Sequence, residues 1–86
     1  MLAFSGRRVI MGRRIDEDAL GALIEAGAVR EVRVTRQDSA WSVSARFGTA
    51  WHPVRSRRET VRQWASLTAA GRFLERLGVT KFEVEQ

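Results

Sequence analysis

Arginines in the middle of the chain are the residues whose type and spacing most clearly indicate chemistry. Four of them fall within the eight residues 55–62, and two further candidates, Arg33 and Arg46, lie upstream in predicted strands. A planar guanidinium group donates paired hydrogen bonds to phosphate oxygens, and each phosphate contact on DNA releases condensed counterions. The pattern predicts a nucleic-acid interface whose candidate residues are Arg33, Arg46, Arg55, Arg57, Arg58 and Arg62. An ordinary solvated charged turn is the alternative.

Two tryptophans beside these arginines, Trp51 and Trp64, are candidates for stacking on bases. An exposed aromatic ring stacks on any base, and a neighbouring guanidinium group strengthens the contact. Trp51 alternates with His52 and Val54 in a predicted strand. Because Val54 is expected to face the core, we expect Trp51 on the opposite, exposed face, and Trp41 and Trp64 in the core.

The single histidine, His52, is the side chain that suits general acid–base catalysis in a small metal-free ribonuclease. No catalytic partner lies beside it in the sequence, and Pro53 follows it directly. The sequence also has no glycine-rich phosphate loop and no Ser-His-Asp set. We therefore predict no catalytic residue, and the ribonuclease stays an alternative.

Cysteine is absent, which excludes disulfides and thiolate metal sites. The acidic run Asp16-Glu17-Asp18 resembles a cation site, but helix capping and the helix dipole explain it fully. We predict no metal and no cofactor. No apolar run approaches the roughly 20 residues that span a bilayer, so we predict a cytoplasmic protein without a membrane partner.

Charge is distributed unevenly along the chain, whose net charge is +5. Residues 1–14 carry +4, residues 15–28 carry −4, residues 29–64 carry +5, and residues 65–86 are balanced. A segregated basic surface is typical of a nucleic-acid partner, although a GC-rich genome also favours arginine. The acidic segment also fits the arginine-rich segment of a second copy, which would build a homodimer.

The length predicts one domain, with a flexible basic tail over residues 1–14 and an α+β domain over residues 15–86. Helices are predicted where an N-cap, an apolar stripe and a final glycine coincide, at Asp16–Ala26 and Ser66–Leu77. Alternating or short apolar runs predict strands at Val29–Arg36, Trp41–Gly48, Ala50–Arg55, Thr60–Ala65 and Lys81–Glu85.

The predicted order is therefore α-β-β-β-β-α-β. A mainly antiparallel sheet of four to five strands, with both helices on one face, would bury both apolar stripes. The other face of this sheet would be open and rich in serine and arginine.

A diffuse motif runs through the second half of the chain. Its positions are Val54, Ser56, Arg57, Arg58, Val61, Arg62, Trp64, Ser66, Leu67, Ala69, Ala70, Leu74, Leu77, Gly78, Val79, Phe82 and Val84. Together with the stretch Leu20–Val34, this motif resembles small ParC-like partition-associated proteins of bacterial plasmids and integrative conjugative elements. The resemblance implies a role near plasmid maintenance, with DNA or a DNA-bound partition complex as the partner.

A second likeness is architectural. Arginine-rich strands followed by a helix after the step Trp64-Ala65-Ser66 are similar to the arm-binding domains of phage-type integrases. Those domains lay a three-stranded sheet in the DNA major groove, a mode that β-sheet readers use. The first helix and the final strand of this chain depart from that plan.

These features predict a non-enzymatic DNA-binding or DNA-partition accessory protein of a plasmid or other mobile element. The open sheet face and the turn over residues 55–62 are expected to contact phosphates. One alternative is an adapter that docks on a protein of a partition or conjugation complex without touching DNA. The other is a toxin-like ribonuclease that uses His52.

Overall fold

The computed structural model describes residues 10–86. In chain order they form β1, α1, β2, β3, β4, α2 and β5, with the bounds Ile10–Met11, Glu17–Glu25, Glu31–Gln37, Ala40–Phe47, Ala50–Pro53, Leu67–Arg76 and Glu83–Glu85. The predicted α+β class with two helices is confirmed. Neither helix in this part of the chain is long and apolar enough to cross a membrane.

Both helices begin at a side-chain N-cap. The Asp16 carboxylate accepts a hydrogen bond from the amide three residues on at 2.9 Å, and the Ser66 hydroxyl does the same at 3.1 Å. These bonds satisfy amide groups that have no partner inside the helix. Each helix is followed by a glycine with positive φ, 73° at Gly27 and 90° at Gly78, where a residue with a Cβ is disfavoured and the helix ends.

The sheet is mixed, with the order β1-β4-β3-β2-β5. The three central strands are antiparallel, and both edge strands run parallel to their neighbours. Two-residue loops join β2 to β3 and β3 to β4, and the first residue of each has positive φ, 57° at Asp38 and 65° at Gly48. Positive φ at this position matches the twist of the paired strands. The predicted antiparallel character therefore holds for the centre of the sheet.

The segment Thr60–Ala65, predicted as a strand, joins the sheet at a single isolated bridge. Trp64 and Trp41 exchange backbone hydrogen bonds of 2.8 and 2.9 Å, and the pairing does not extend beyond these two residues. The chain turns away from the sheet after Val54 and comes back beside β3 only at Trp64. A ladder needs several consecutive residues in register with the neighbouring strand. Only Trp64 of this segment pairs with β3, so no strand forms.

The predicted flexible tail, residues 1–14, falls partly on residues 1–9, which lie outside the described residues. Its remainder belongs to the fold, because β1 pairs in parallel with β4, with Ile10 opposite Ala50. The Gly12 amide also donates a hydrogen bond to the Trp51 carbonyl at 2.7 Å. The predicted domain boundary at residue 15 is therefore wrong. A two-residue strand has no hydrophobic periodicity by which a sequence could reveal it.

Both helices pack on one face of the sheet, as predicted. Leu20 of α1 and Phe73 and Leu74 of α2 are fully buried in one core cluster. The strand residues that share this cluster are Val32, Val34, Val43 and Ala45, and Val54, directly after β4, joins them. The helices also lie against each other, since a Cβ added at Gly21 would stand 3.6 Å from the Leu77 side chain. The opposite face of the sheet has no helix among the described residues.

Leu74→Ala is expected to lower the free energy of unfolding by about 2–5 kcal/mol, because it leaves a cavity in the core. Urea denaturation followed by circular dichroism measures this change. Arg72→Ala is the matched control, since Arg72 is exposed on the same helix. Its effect should stay within about 0.5 kcal/mol. A Leu74→Ala variant as stable as the control would contradict this packing.

Candidate nucleic-acid interface

Arg33 and Arg46 lie on the outward face of the sheet and are ion-paired across neighbouring strands. Arg33 Nη2 lies 3.2 Å from Glu83 Oε1, and Arg46 Nε lies 2.6 Å from Glu31 Oε1. Each pair joins residues that are directly opposite in the strand register. Opposite charges at such positions stabilise a sheet by about 0.2–1 kcal/mol per pair. These two guanidinium groups therefore serve the sheet itself.

The outward face of β2 to β5 carries more carboxylates than guanidinium groups. The register places on this face the charged residues Arg33, Arg46, Glu31, Glu83 and Glu85. A surface with nearly balanced charge does not attract a phosphate backbone over distance. The open face rich in serine and arginine is present, but it is not a basic surface.

Trp51 lies on this outward face but is only 8% exposed, so the prediction of an exposed ring is wrong. The Arg33 guanidinium carbon lies 4.2 Å from the centre of the Trp51 ring, in cation–π contact. Ser44 stands opposite Arg33 in β3, and its small side chain leaves room for this contact. Strand alternation predicted the correct face of the sheet, but it could not predict that an arginine from two strands away covers the ring.

The turn after β4 presents two arginines to solvent. The Ser56 amide donates to the Glu59 carbonyl at 3.1 Å, and the Glu59 amide donates to the Ser56 hydroxyl at 3.0 Å. These bonds close the turn and place Arg57 and Arg58 at its tip, where both are exposed. Neither forms an ion pair with any residue of the range 10–86.

Arg55 and Arg62 flank this turn and are held by carboxylates at the start of α1. Arg55 Nη2 lies 3.8 Å from Asp16 Oδ2, and Arg62 Nη1 lies 3.3 Å from Glu17 Oε1. The Arg62 guanidinium also lies 4.8 and 5.0 Å from the centres of two aromatic rings of the core. The predicted cluster of six arginines therefore divides into four paired residues and the two at the tip of the turn.

Two exposed arginines that the sequence assigned to the tail, Arg13 and Arg14, directly precede Ile15, which pairs with Val54 just before this turn. Their segment is anchored by the buried residue Ile15, whose amide donates to the Pro53 carbonyl at 2.9 Å and whose carbonyl accepts from the Arg55 amide at 2.8 Å. Within the part of the chain that the structure describes, neither arginine forms an ion pair. The one sequence signal for this anchor is Ile15, an apolar residue directly after the arginine pair. We call Arg13, Arg14, Arg57 and Arg58 the arginine patch.

His52 ties the segment before α1 to the sheet. Its ring stacks on Phe47 with centroids 3.7 Å apart and planes 6° apart. Its Nδ1 lies 2.7 Å from the carbonyl oxygen of Arg13, and because a carbonyl only accepts, Nδ1 is the donor. No carboxylate within residues 10–86 forms an ion pair with this ring. The stack on Phe47 fixes the ring on the sheet, and the hydrogen bond from Nδ1 then holds the segment that carries Arg13 and Arg14.

Two of the three carboxylates at the start of α1 already have partners in the same chain. Asp16 caps the helix and pairs with an arginine, Glu17 pairs with another, and Asp18 forms no ion pair with a described residue. Over residues 10–86, no group of three histidine, cysteine, aspartate or glutamate side chains is placed to hold a metal ion. A homodimer built on this run would have to break two existing ion pairs.

No protein-family model matches the sequence, and no curated protein matches it. The resemblance to partition-associated proteins therefore stays a prediction.

Gly12→Ala is expected to destabilise the protein through His52. A Cβ at Gly12 would overlap the imidazole ring, which would then have to leave its stack on Phe47. Overpacking of this kind costs about 1–3 kcal/mol, measurable as a loss of unfolding free energy in urea.

The double variant Gly12→Ala/His52→Ala is the control for this contact. Once the ring is removed, Gly12→Ala has nothing to overlap and should add less than about 0.5 kcal/mol. Fully additive effects of the two substitutions would contradict the contact.

Proposed function

We propose that this protein is a non-enzymatic DNA-binding accessory protein that contacts the phosphate backbone through the arginine patch. The observation that carries this proposal is the exposure of four arginines that form no ion pair within residues 10–86. They lie on two segments that backbone hydrogen bonds hold together. A guanidinium group without a carboxylate partner can bind phosphate without first breaking an ion pair.

The closed turn supports this role for Arg57 and Arg58. The hydrogen bonds between Ser56 and Glu59 fix the backbone at its tip, so two guanidinium groups project from an ordered base. An ordered base lowers the conformational entropy that binding has to remove. Arg13 and Arg14 extend the positive surface along the neighbouring segment, as a phosphate backbone requires.

Contact through phosphates alone implies binding with little sequence preference. Reading bases needs side chains in a groove, and here Trp51 is covered and the outward sheet face has nearly balanced charge. Affinity then depends mainly on counterion release and falls as salt rises. A DNA-bound partition complex would supply the sequence specificity. The resemblance to partition-associated proteins supports this setting, in the bacterial cytoplasm and on a plasmid or other mobile element.

The outward sheet face favours a second candidate function, an adapter that docks on a protein of a partition or conjugation complex. A groove of about 380 Å³ crosses this face, and Ser42, Ser44, Pro53 and Val61 are among its lining residues. Mixed polar and apolar surface without excess charge is typical of protein interfaces. An adapter of this kind would bind its partner and ignore DNA. The contacts of His52 give the ribonuclease alternative no support.

Fluorescence-anisotropy titration with a random-sequence duplex tests the proposed function. We expect a dissociation constant of about 1–100 μM at physiological salt. Arg57→Ala/Arg58→Ala should weaken binding at low salt by about tenfold or more and lower the slope of log affinity against log salt by about 1.8, because two phosphate contacts are lost.

Arg30→Ala/Arg72→Ala is the matched control, since it removes the same charge from exposed positions outside the patch. Its binding should stay near that of the unmodified protein. Equal losses in the two double variants would mean that net charge alone drives binding. An absence of binding at low salt would contradict the proposed DNA binding and favour the adapter function.

A further inference from the structure

We propose that the first turn of α1 restrains DNA binding, because Asp16 and Glu17 compete with phosphate for Arg55 and Arg62. This inference rests on the proposed function and assigns a regulation to the same site. In the free protein the two carboxylates occupy the two guanidinium groups at 3.8 and 3.3 Å. In the complex, phosphate oxygens take their place.

The two restrained arginines are placed to join the arginine patch. They flank the turn whose tip carries Arg57 and Arg58, so all four belong to one short loop. A pocket of about 350 Å³ separates this loop from the start of α1, and it is lined by both ion pairs and by Arg57. This space allows the side chains of both pairs to rotate away from each other, so that a phosphate can replace each carboxylate.

Both ion pairs are weak enough to be exchanged. The side chains are 44% and 49% exposed in the Arg55–Asp16 pair, and 31% and 46% exposed in the Arg62–Glu17 pair. Solvent screens such pairs, and each one changes an equilibrium constant by about two- to fivefold. Carboxylate and phosphate oxygens are the same kind of acceptor for a guanidinium group, so a polyanion displaces a single carboxylate.

Arg62 is the better of the two for binding phosphate after the exchange. Its guanidinium group lies over the rings of Trp64 and Phe73, and these contacts do not involve Glu17. Loss of Glu17 therefore leaves Arg62 in place with its outer edge free. At Asp16, replacement by asparagine removes the charge and keeps a good N-cap.

The test compares Glu17→Gln with Asp18→Asn in the duplex titration. Both remove one negative charge from the same helical turn, but only Glu17 holds an arginine. We expect Glu17→Gln to tighten binding by about two- to fivefold beyond Asp18→Asn. The slope of log affinity against log salt should stay near that of the unmodified protein, since Arg62 contacts phosphate in both complexes.

An Arg62→Gln background identifies the residue through which Glu17 acts. There the gain from Glu17→Gln should fall to the small gain that Asp18→Asn still gives. Circular dichroism confirms that each variant is folded. If Arg62→Gln does not fold, the same cycle with Asp16→Asn and Arg55→Gln provides the test.

Equal gains from Glu17→Gln and Asp18→Asn, in a protein that binds DNA through Arg57 and Arg58, overturn this inference and leave the proposed function standing. Binding by neither the unmodified protein nor Glu17→Gln overturns the proposed function, and the inference with it. Binding that appears only in Glu17→Gln supports both the proposed function and the restraint. The restraint would then be stronger than expected for ion pairs as exposed as these.

Discussion

A sheet covered by helices on one side must keep its other side compatible with water. Here both helices pack on the same face, so β2 and β3 carry a mainly apolar row inward and a mainly polar row outward, whereas β4 presents Trp51 and Pro53 outward. The outward row is not left as free charge. Arg33 and Arg46 take carboxylates from neighbouring strands, and Arg33 lies over Trp51. The one-sided core thus determines which arginines stabilise the sheet.

Free positive charge remains where the chain leaves the sheet. After Val54 no described strand lies alongside to supply a carboxylate. Among residues 10–86, the arginines of the turn over residues 55–62 form ion pairs only with carboxylates at the start of α1. That contact pairs the two arginines at the base of the turn and does not reach Arg57 and Arg58 at its tip. In the proposed function, phosphate contact and its restraint would therefore arise from the same loop.

Local sequence patterns predicted the local structure well. N-caps at Asp16 and Ser66 and the alternation in β3 identify the helices and the central strand, because each signal lies within a few residues of what it determines. The contacts of the site are different in kind. The partner of Arg33 is 50 residues away, and the burial of Trp51 depends on a side chain two strands distant. The spacing of residues along the chain does not determine the strand register that brings such distant residues together. The sequence therefore predicted the arginines but not their partners.

The parallel pairing at both edges of the sheet has a consequence for the order in which the structure forms and opens. The central strands meet through two-residue loops, whereas β5 joins β2 across 50 residues of chain and β1 joins β4 across a comparable span. Closing a long loop costs conformational entropy, so contacts between residues that are distant in sequence form slowly during folding. The edges should therefore dock last and exchange their amide hydrogens first. Arg13 and Arg14 lie in such an edge segment, so half of the arginine patch belongs to the part of the fold that opens most readily.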